Sequence, residues 1–268
     1  MSEKRRRLRW GEYRASEFPA ADPDATIAIL PIAATEQHGP HLPVGTDALI
    51  ADGMLMTAAS MLPEDLDVRG LPIQAVGKSN EHLWAPGTLT LPAHVAIEAW
   101  TELGLSVSRA GVRKLVIVNS HGGNEEMMGI VARELRVRAG MFVVKTSWSR
   151  FGHPEGMFSD IERRHGIHGG EVETSLILHF RPDLVDMSLA GNFPSLAAET
   201  DAKFKLLAPT GTHAFAWIAR DLNSNGVVGD AAAATAAKGR AVAEHQARGF
   251  VALLHEVRSV VLDGFGAF

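Results

Sequence analysis

The chain has no cysteine among its 268 residues. That excludes disulfides, a thiolate nucleophile and every cysteine-ligated zinc site. No apolar run approaches the roughly 18 residues that a membrane-spanning helix needs. The basic run Lys4-Arg5-Arg6-Arg7 is not followed by the apolar segment of a secretory leader, and with Glu3, Glu12 and Glu17 nearby it reads as a solvated tail. A soluble, cytoplasmic protein is the expectation. The nucleotide-binding patterns Walker A and Gly-x-Gly-x-x-Gly are absent, as is the Gly-x-Ser-x-Gly elbow of serine hydrolases. The net charge of −5 gives no reason to expect a nucleic-acid or membrane partner.

What is present is an ordinary globular composition, 46% hydrophobic and 21% charged, with enough chain to bury a substantial core. No linker-like stretch and no repeat divides it. Residues 1–24 read as a segment packing on or preceding the domain, and residues 25–268 as a single α/β domain. Ala25 to Ile32 is an apolar run suited to a buried strand. A polar loop with Gly39, Pro40, Pro43 and Gly45 follows, then a helix from Asp47 to Leu62 with Asp47 placed as its N-cap. Val68 to Val76 reads as a strand interrupted by Pro72, and Pro92 to Ala110 as a helix. Lys114 to Val118 is the clearest buried strand, with a helix from Glu125 to Ala139 and a strand from Met141 to Thr146 after it. Glu171 to Phe180 and Asp230 to Val260 read as helices. Strands alternating with helices imply a mostly parallel sheet with helices on both faces. Ligand sites in such sheets form at the carboxyl ends of the strands. The segments from Trp148 to Gly169 and Pro194 to Val228 are long and aperiodic, which is often a functional signature.

Three stretches carry chemistry. The first is Glu36-Gln37-His38-Gly39-Pro40-His41, followed by Asp47. Glu36 and His38 are two apart just past a strand, so in extended backbone they share a face. Imidazoles mixed with carboxylates suit zinc, manganese, iron or nickel. The plainer alternative is a polar surface loop with a capping Asp. The second is Asn119-Ser120-His121-Gly122-Gly123-Asn124, where His121 follows the strongest strand; the alternative is a turn with a surface histidine. The third is His168-Gly169-Gly170-Glu171-Val172-Glu173-Thr174-Ser175. On a helix, Glu173 shares a face with Val172, Leu176, Ile177 and Phe180, while Glu171 projects to the other side. A carboxylate on a buried face needs a partner. Glu173 is therefore the better ligand candidate, with a buried salt bridge as its alternative, and Glu171 reads as a solvated first-turn acid. Ser79 and His82 lie in a loop that could shape a substrate pocket. His94, His245 and His255 have no acidic cluster around them and read as structural.

Together these motifs, with Gly226-Val227-Val228-Gly229-Asp230 near the C-terminus, resemble the creatininase (creatinine amidohydrolase) family, in its order and over most of the chain. The resemblance implies a creatininase-type fold, two divalent metal ions per chain, hydrolysis of a small cyclic or linear amide, and a homo-oligomer, often a hexamer. Zinc comes first among the implied metals, with manganese or iron as alternatives. Carried over, Glu36 and His38 would each bind one metal, Asp47 would bridge both and His121 would complete one shell. In members that hydrolyse creatinine, Tyr and Glu follow this last histidine, and that Glu is a ligand. Here Gly122 and Gly123 stand there, and Glu173 can supply the missing carboxylate. The expected reaction is amide hydrolysis by a metal-activated water, with His168 moving the proton to the leaving nitrogen. Two other readings stay open: a metal-dependent phosphoester hydrolase, which would want Lys or Arg at the site, and a non-catalytic metal-binding assembly protein.

Overall fold

The computed structural model describes residues 7–18 and 22–262. Lys4, Arg5 and Arg6 of the basic run lie outside them. Arg7 is described and pairs with Glu17 at 2.6 Å. The N-terminal segment touches the domain through Leu8, which is buried in the core, and Arg9, which bridges to Gly70.

Four strands form one fully parallel sheet: β1 (Ile27–Ile32), β2 (Val68–Gly70), β3 (Lys114–Asn119) and β4 (Phe142–Ser147), in the order β2-β1-β3-β4. Every residue of β1 and β3 is buried, as expected of strands covered on both faces. The central strand β1 tolerates Pro31, which has no N–H to donate. Pro31 lies beyond β2, whose ladder with β1 ends at Ile29 paired with Gly70. The same chemistry shortens β2. A strand reaching Val76 is expected, but Pro72 cannot donate to a ladder, and past it only the isolated bridge between Ile32 and Gln74 remains.

One face of the sheet is covered by α1 (Thr46–Met61), α5 (Glu171–Phe180) and α8 (Ala236–Ser259), whose Met54, Ile177 and Phe250 share a core with Ile29 and Val116. The other face carries α2 (Ala93–Arg109) and α3 (Glu125–Ala139), where Trp100, Met128 and Leu135 pack on Leu30 and Ile117. The architecture is thus one α/β domain with helices on both faces, as the alternation implies. Gly239 of α8 lies so close to the Ser175 carbonyl that a Cβ could not fit, which lets α5 and α8 pack tightly. Helix α8 starts later than the Ala-rich pattern suggests. Thr235 caps it by accepting from Lys238 N, and Gly229–Asp230 instead forms a short strand, β6, antiparallel to β5 (Asn192–Phe193). Short helices break up the two aperiodic segments: α4 (Asp160–His165), α6 (Leu196–Lys203) and α7 (Ala219–Leu222). Among the described residues, no helix is long and apolar enough to cross a membrane.

Candidate metal centre

The site lies at the carboxyl edge of the sheet. The loop after β1 delivers Glu36, Gln37 and His38, the first turn of α1 delivers Asp47, and the loop after β3 delivers His121. The turn into α5 delivers His168 and Glu173, and the loop of Ser79–His82 closes one side. Asp47 is not the N-cap of α1: Gly45 occupies that position, and the buried Asp47 side chain turns into the site. The loop of His121 is locked by amides. Asn119 accepts from His121 N at 3.0 Å and donates to His121 O at 2.6 Å, and Asn124 donates to Ala33 O at 3.0 Å.

Five side chains singled out as ligand candidates converge here. Asp47 stands between two imidazoles, with Oδ1 3.4 Å from His38 Nε2 and Oδ2 3.6 Å from His121 Nδ1. Glu36 Oε1 lies 3.2 Å from His121 Nδ1, and Glu173 Oε2 lies 3.8 Å from His38 Nε2. His168 Nδ1 and His82 Nε2 each approach Glu36 Oε1 to 3.5 Å. Backbone carbonyls orient the rings, since a carbonyl can only accept. His38 Nδ1 faces Glu36 O at 3.0 Å, His121 Nε2 faces Lys78 O at 2.8 Å, and His168 Nε2 faces Gln37 O at 2.8 Å. In the neutral form of each ring, the form a metal ion would take, the nitrogen turned to the carboxylates is then the one with the lone pair. His82 is wired the other way. Its Nδ1 accepts from the Gln37 amide at 2.9 Å, so its Nε2–H is the side turned toward Glu36 Oε1, 3.5 Å away and not hydrogen-bonded to it.

The electrostatics call for positive charge. Burial works against ionising His38, but Asp47 and Glu173 outweigh it and raise its pKa to about 10. His121 rises to about 10 in the same way, beside Glu36 and Asp47. Burial pushes Asp47 up to about 6. Burial also opposes the charge of Glu36, yet His121 and His38 hold its carboxyl well below the usual range. Burial dominates at His82 and His168, pushing them down to about 3 and about 4. Both Glu36 oxygens, His38 Nε2 and Asp47 Oδ2 are buried without a hydrogen-bond partner. Buried carboxylate oxygens in that state are costly unless a cation meets them. Three overlapping groups have ligand atoms close enough to share an ion: Glu36, His38 and His168; Glu36, Glu81 and His121; and His38, Asp47 and Glu173.

Several residues stand elsewhere or differ from expectation. Glu171 is not a solvated acid: it is buried and pairs with Lys238 of α8. His41 donates to or accepts from Thr174 Oγ1 at 2.9 Å, outside the cluster. Ser79 is buried, with Oγ 3.5 Å from His121 Nε2. Lys78, beside the Ser79–His82 loop, gives the site its carbonyl, while its ammonium turns to Asn80. Glu81 was not among the predicted residues, yet its Oε1 lies 3.5 Å from His121 Nε2. Its position between Asn80 and His82 in a loop already suspected was the available signal. Glu81 also bears on the Gly-Gly pair: a Cβ at Gly123 would run into Lys78 O and lie 2.7 Å from Glu81 Oε1.

Fold and site define an α/β protein whose parallel sheet gathers candidate metal ligands, not a nucleophile triad, at its carboxyl edge. The family model for creatininase, described as creatinine amidohydrolase, matches residues 11–254, and the chain belongs to this family of hydrolases. It is 31% identical over 220 residues to the mycofactocin precursor peptide peptidase of Mycolicibacterium smegmatis, covering 81% of this chain and 79% of the relative. It is also 31% identical over 205 residues to the creatinine amidohydrolase of Pseudomonas putida, covering 70% and 75%. A solved creatininase with Mn matches the fold with a TM-score of 0.75 at 25% identity, covering 95% of this chain and 100% of that one.

Proposed function

We propose that the protein is a metal-dependent amidohydrolase holding two divalent ions in this cluster. The observation that carries the reading is the set of buried, unpartnered ligand atoms on Glu36, His38 and Asp47. Glu36 and His121 would hold one ion, His38 and Glu173 the other, and Asp47 would bridge them with one oxygen each. Mixed imidazole and carboxylate donors suit zinc, with manganese or iron as alternatives; the Mn-containing creatininase supports manganese. Bound there, such ions supply Lewis acidity for a carbonyl and lower the pKa of water.

The chain's own residues supply the rest. His168, neutral and with Nε2–H engaged by Gln37 O, keeps Nδ1 as a base facing the cluster. It is the group we assign to carry a proton to the leaving nitrogen. His82 turns its Nε2–H toward Glu36 Oε1 at 3.5 Å, and Ser79 lies beside His121. The bond cleaved is a C–N bond of a small cyclic amide, a formamide or a peptide; the relatives named for a peptide and for creatinine support that range. Creatinine itself should be a poor substrate. The residue that would follow Gly122 with a ligand carboxylate is Gly123, whose side-chain space Lys78 O and Glu81 already fill. The phosphoester alternative finds little support, since the described ion pairs of Glu36, Asp47, Glu81 and Glu173 are all with histidines and the Lys78 ammonium turns to Asn80. By family resemblance the protein is a homo-oligomer, a hexamer.

The test is zinc- or manganese-loaded protein assayed against cyclic amides, formamides and short peptides. Turnover that chelation abolishes is expected. Retained metal with no turnover across that panel would favour the non-catalytic reading, and a preference for phosphoesters would favour the other hydrolase class.

A further inference from the structure

The outer nitrogen of His121 has more oxygen around it than one hydrogen can serve. Nδ1 faces Glu36 and Asp47, so Nε2 carries the hydrogen and donates to Lys78 O at 2.8 Å. Ser79 Oγ and Glu81 Oε1 each stand 3.5 Å from the same nitrogen. The Lys78 carbonyl already satisfies the N–H. What Glu81 adds is a negative charge behind the ring. Among the described residues, His121 is the only ion-pair partner of Glu81, whose side chain is 16% exposed. The Lys78 ammonium turns to Asn80 instead.

The fold holds this placement. Asn124 clamps the two loops together: its Oδ1 accepts from Lys78 N at 3.0 Å, and its Nδ2 donates to Asn119 Oδ1 at 3.1 Å. Ser79 N donates to Thr90 Oγ1 at 2.8 Å. A Cβ at Gly123 would lie 2.5 Å from His121 Nε2 and 2.7 Å from Glu81 Oε1. Any side chain there would stand between acid and ring, so glycine at 123 is what lets Glu81 approach.

An imidazole that gives its lone pair to a divalent ion becomes more positive, and a carboxylate at its far end stabilises that bound state more than the free one. Such a pair, partly buried, is screened little by salt. We propose that Glu81 is a positioning residue of the metal centre, acting through His121 by fixing its ring and strengthening its donor nitrogen, and is not itself a ligand. This role rests on the metal centre proposed above. It also makes the two ions unequal, because His38 has a neutral carbonyl, Glu36 O, at its outer nitrogen.

Glu81→Gln keeps the shape and removes the charge. Glu126→Gln, at an exposed acid in the first turn of α3, removes the same charge elsewhere and serves as the control. Zinc affinities are measured by competition with a chelating dye. Cobalt(II)-loaded protein is then read by proton magnetic resonance, in which the ring N–H protons of metal-bound His38 and His121 give shifted, solvent-exchangeable signals. Glu81→Gln should weaken one of the two zinc ions by about tenfold or more, leave the other unchanged and move one of the two cobalt-shifted signals. Its melting point without metal should stay near that of the wild type. Glu126→Gln should do none of this. Unchanged affinities and unmoved signals in Glu81→Gln overturn the proposal. Outright loss of one ion from that variant overturns it as well, by making Glu81 a ligand. Wild-type protein that takes up no zinc contradicts the metal centre and this role with it; wild type holding two ions beside an indistinguishable Glu81→Gln contradicts this role alone.

Discussion

Glu171 and Glu173 stand two residues apart at the start of α5 and serve different neighbours. Glu171 pairs with Lys238 of α8. Glu173 accepts from Gly169 N at 2.6 Å and lies 3.8 Å from His38 Nε2. Residues two apart on a helix point in very different directions, so one acid fastens helix to helix while the other reaches the cluster.

This separation makes the two acids separable by experiment. Glu173→Gln should reduce metal affinity by at least about tenfold, the lower range seen even for groups that only support a ligand. Its melting point without metal should change little. Glu171→Gln should leave metal content intact and lower stability by about 1–3 kcal/mol. That is less than a fully buried pair would lose, because the Lys238 side chain is 31% exposed. Metal analysis and thermal melts on both variants decide, and metal lost only from the Glu171 variant would reverse the roles.

Gly123 and Gly122 should also differ sharply. A Cβ at Gly123 would collide with Lys78 O and the His121 ring, whereas at Gly122 nothing lies within 4 Å. Gly123→Ala is expected to displace His121 and cut metal affinity at least about tenfold. Gly122→Ala should be silent. Equal metal affinities in a titration of both variants would mean that the loop yields freely.

Glu162 is a structural acid that ties three elements together. Buried in α4, its carboxylate accepts from Glu171 N at 2.7 Å and Asp230 N at 2.8 Å. Glu162→Gln turns an amide nitrogen toward one of those N–H groups and leaves a buried donor unpaired, at about 1–3 kcal/mol. For a chain of this size that is roughly 2–4 °C of melting temperature per kcal/mol. An unchanged thermal midpoint would show that the N–H groups find other acceptors.

Metal removal should destabilise the whole domain, because the buried carboxylates of Glu36, in the loop after β1, and Asp47, in α1, then lose the cation they are placed to meet. At metal concentrations on the order of a thousand times Kd, binding adds about 4 kcal/mol. Chelation should therefore lower the thermal midpoint by on the order of 10 °C, and added zinc should restore it. A midpoint indifferent to chelator would argue that no ion is held in the folded state.

The sheet was legible because β1 and β3 are short runs with apolar centres bounded by polar loops, and part of the site because Glu36, His38 and His121 follow those strands. What stayed hidden depends on tertiary geometry. Glu171 looked solvated because periodicity within α5 cannot reveal that Lys238, 67 positions on, packs against it. Asp47 looked like a cap because a carboxylate at a helix start usually is one, and only the packing of the loop after β1 turns it inward. The approach of Lys78 O and Glu81 to the outer nitrogen of His121 joins two separate loops, and no local pattern links them. Pro72, in contrast, was visible, and the end of β2 could have been read from it more strictly.

The central claim is that the cluster binds divalent metal through Glu36, His38, Asp47, His121 and Glu173. Its most direct test is the zinc content per chain after loading and exhaustive dialysis, for the wild type beside Asp47→Asn and His41→Ala. The account predicts two zinc ions per chain in the wild type, two in His41→Ala, whose ring is bound to Thr174 outside the cluster, and fewer than one in Asp47→Asn. Folded wild-type protein that retains no zinc, or an Asp47→Asn variant that retains as much as the wild type, would contradict it.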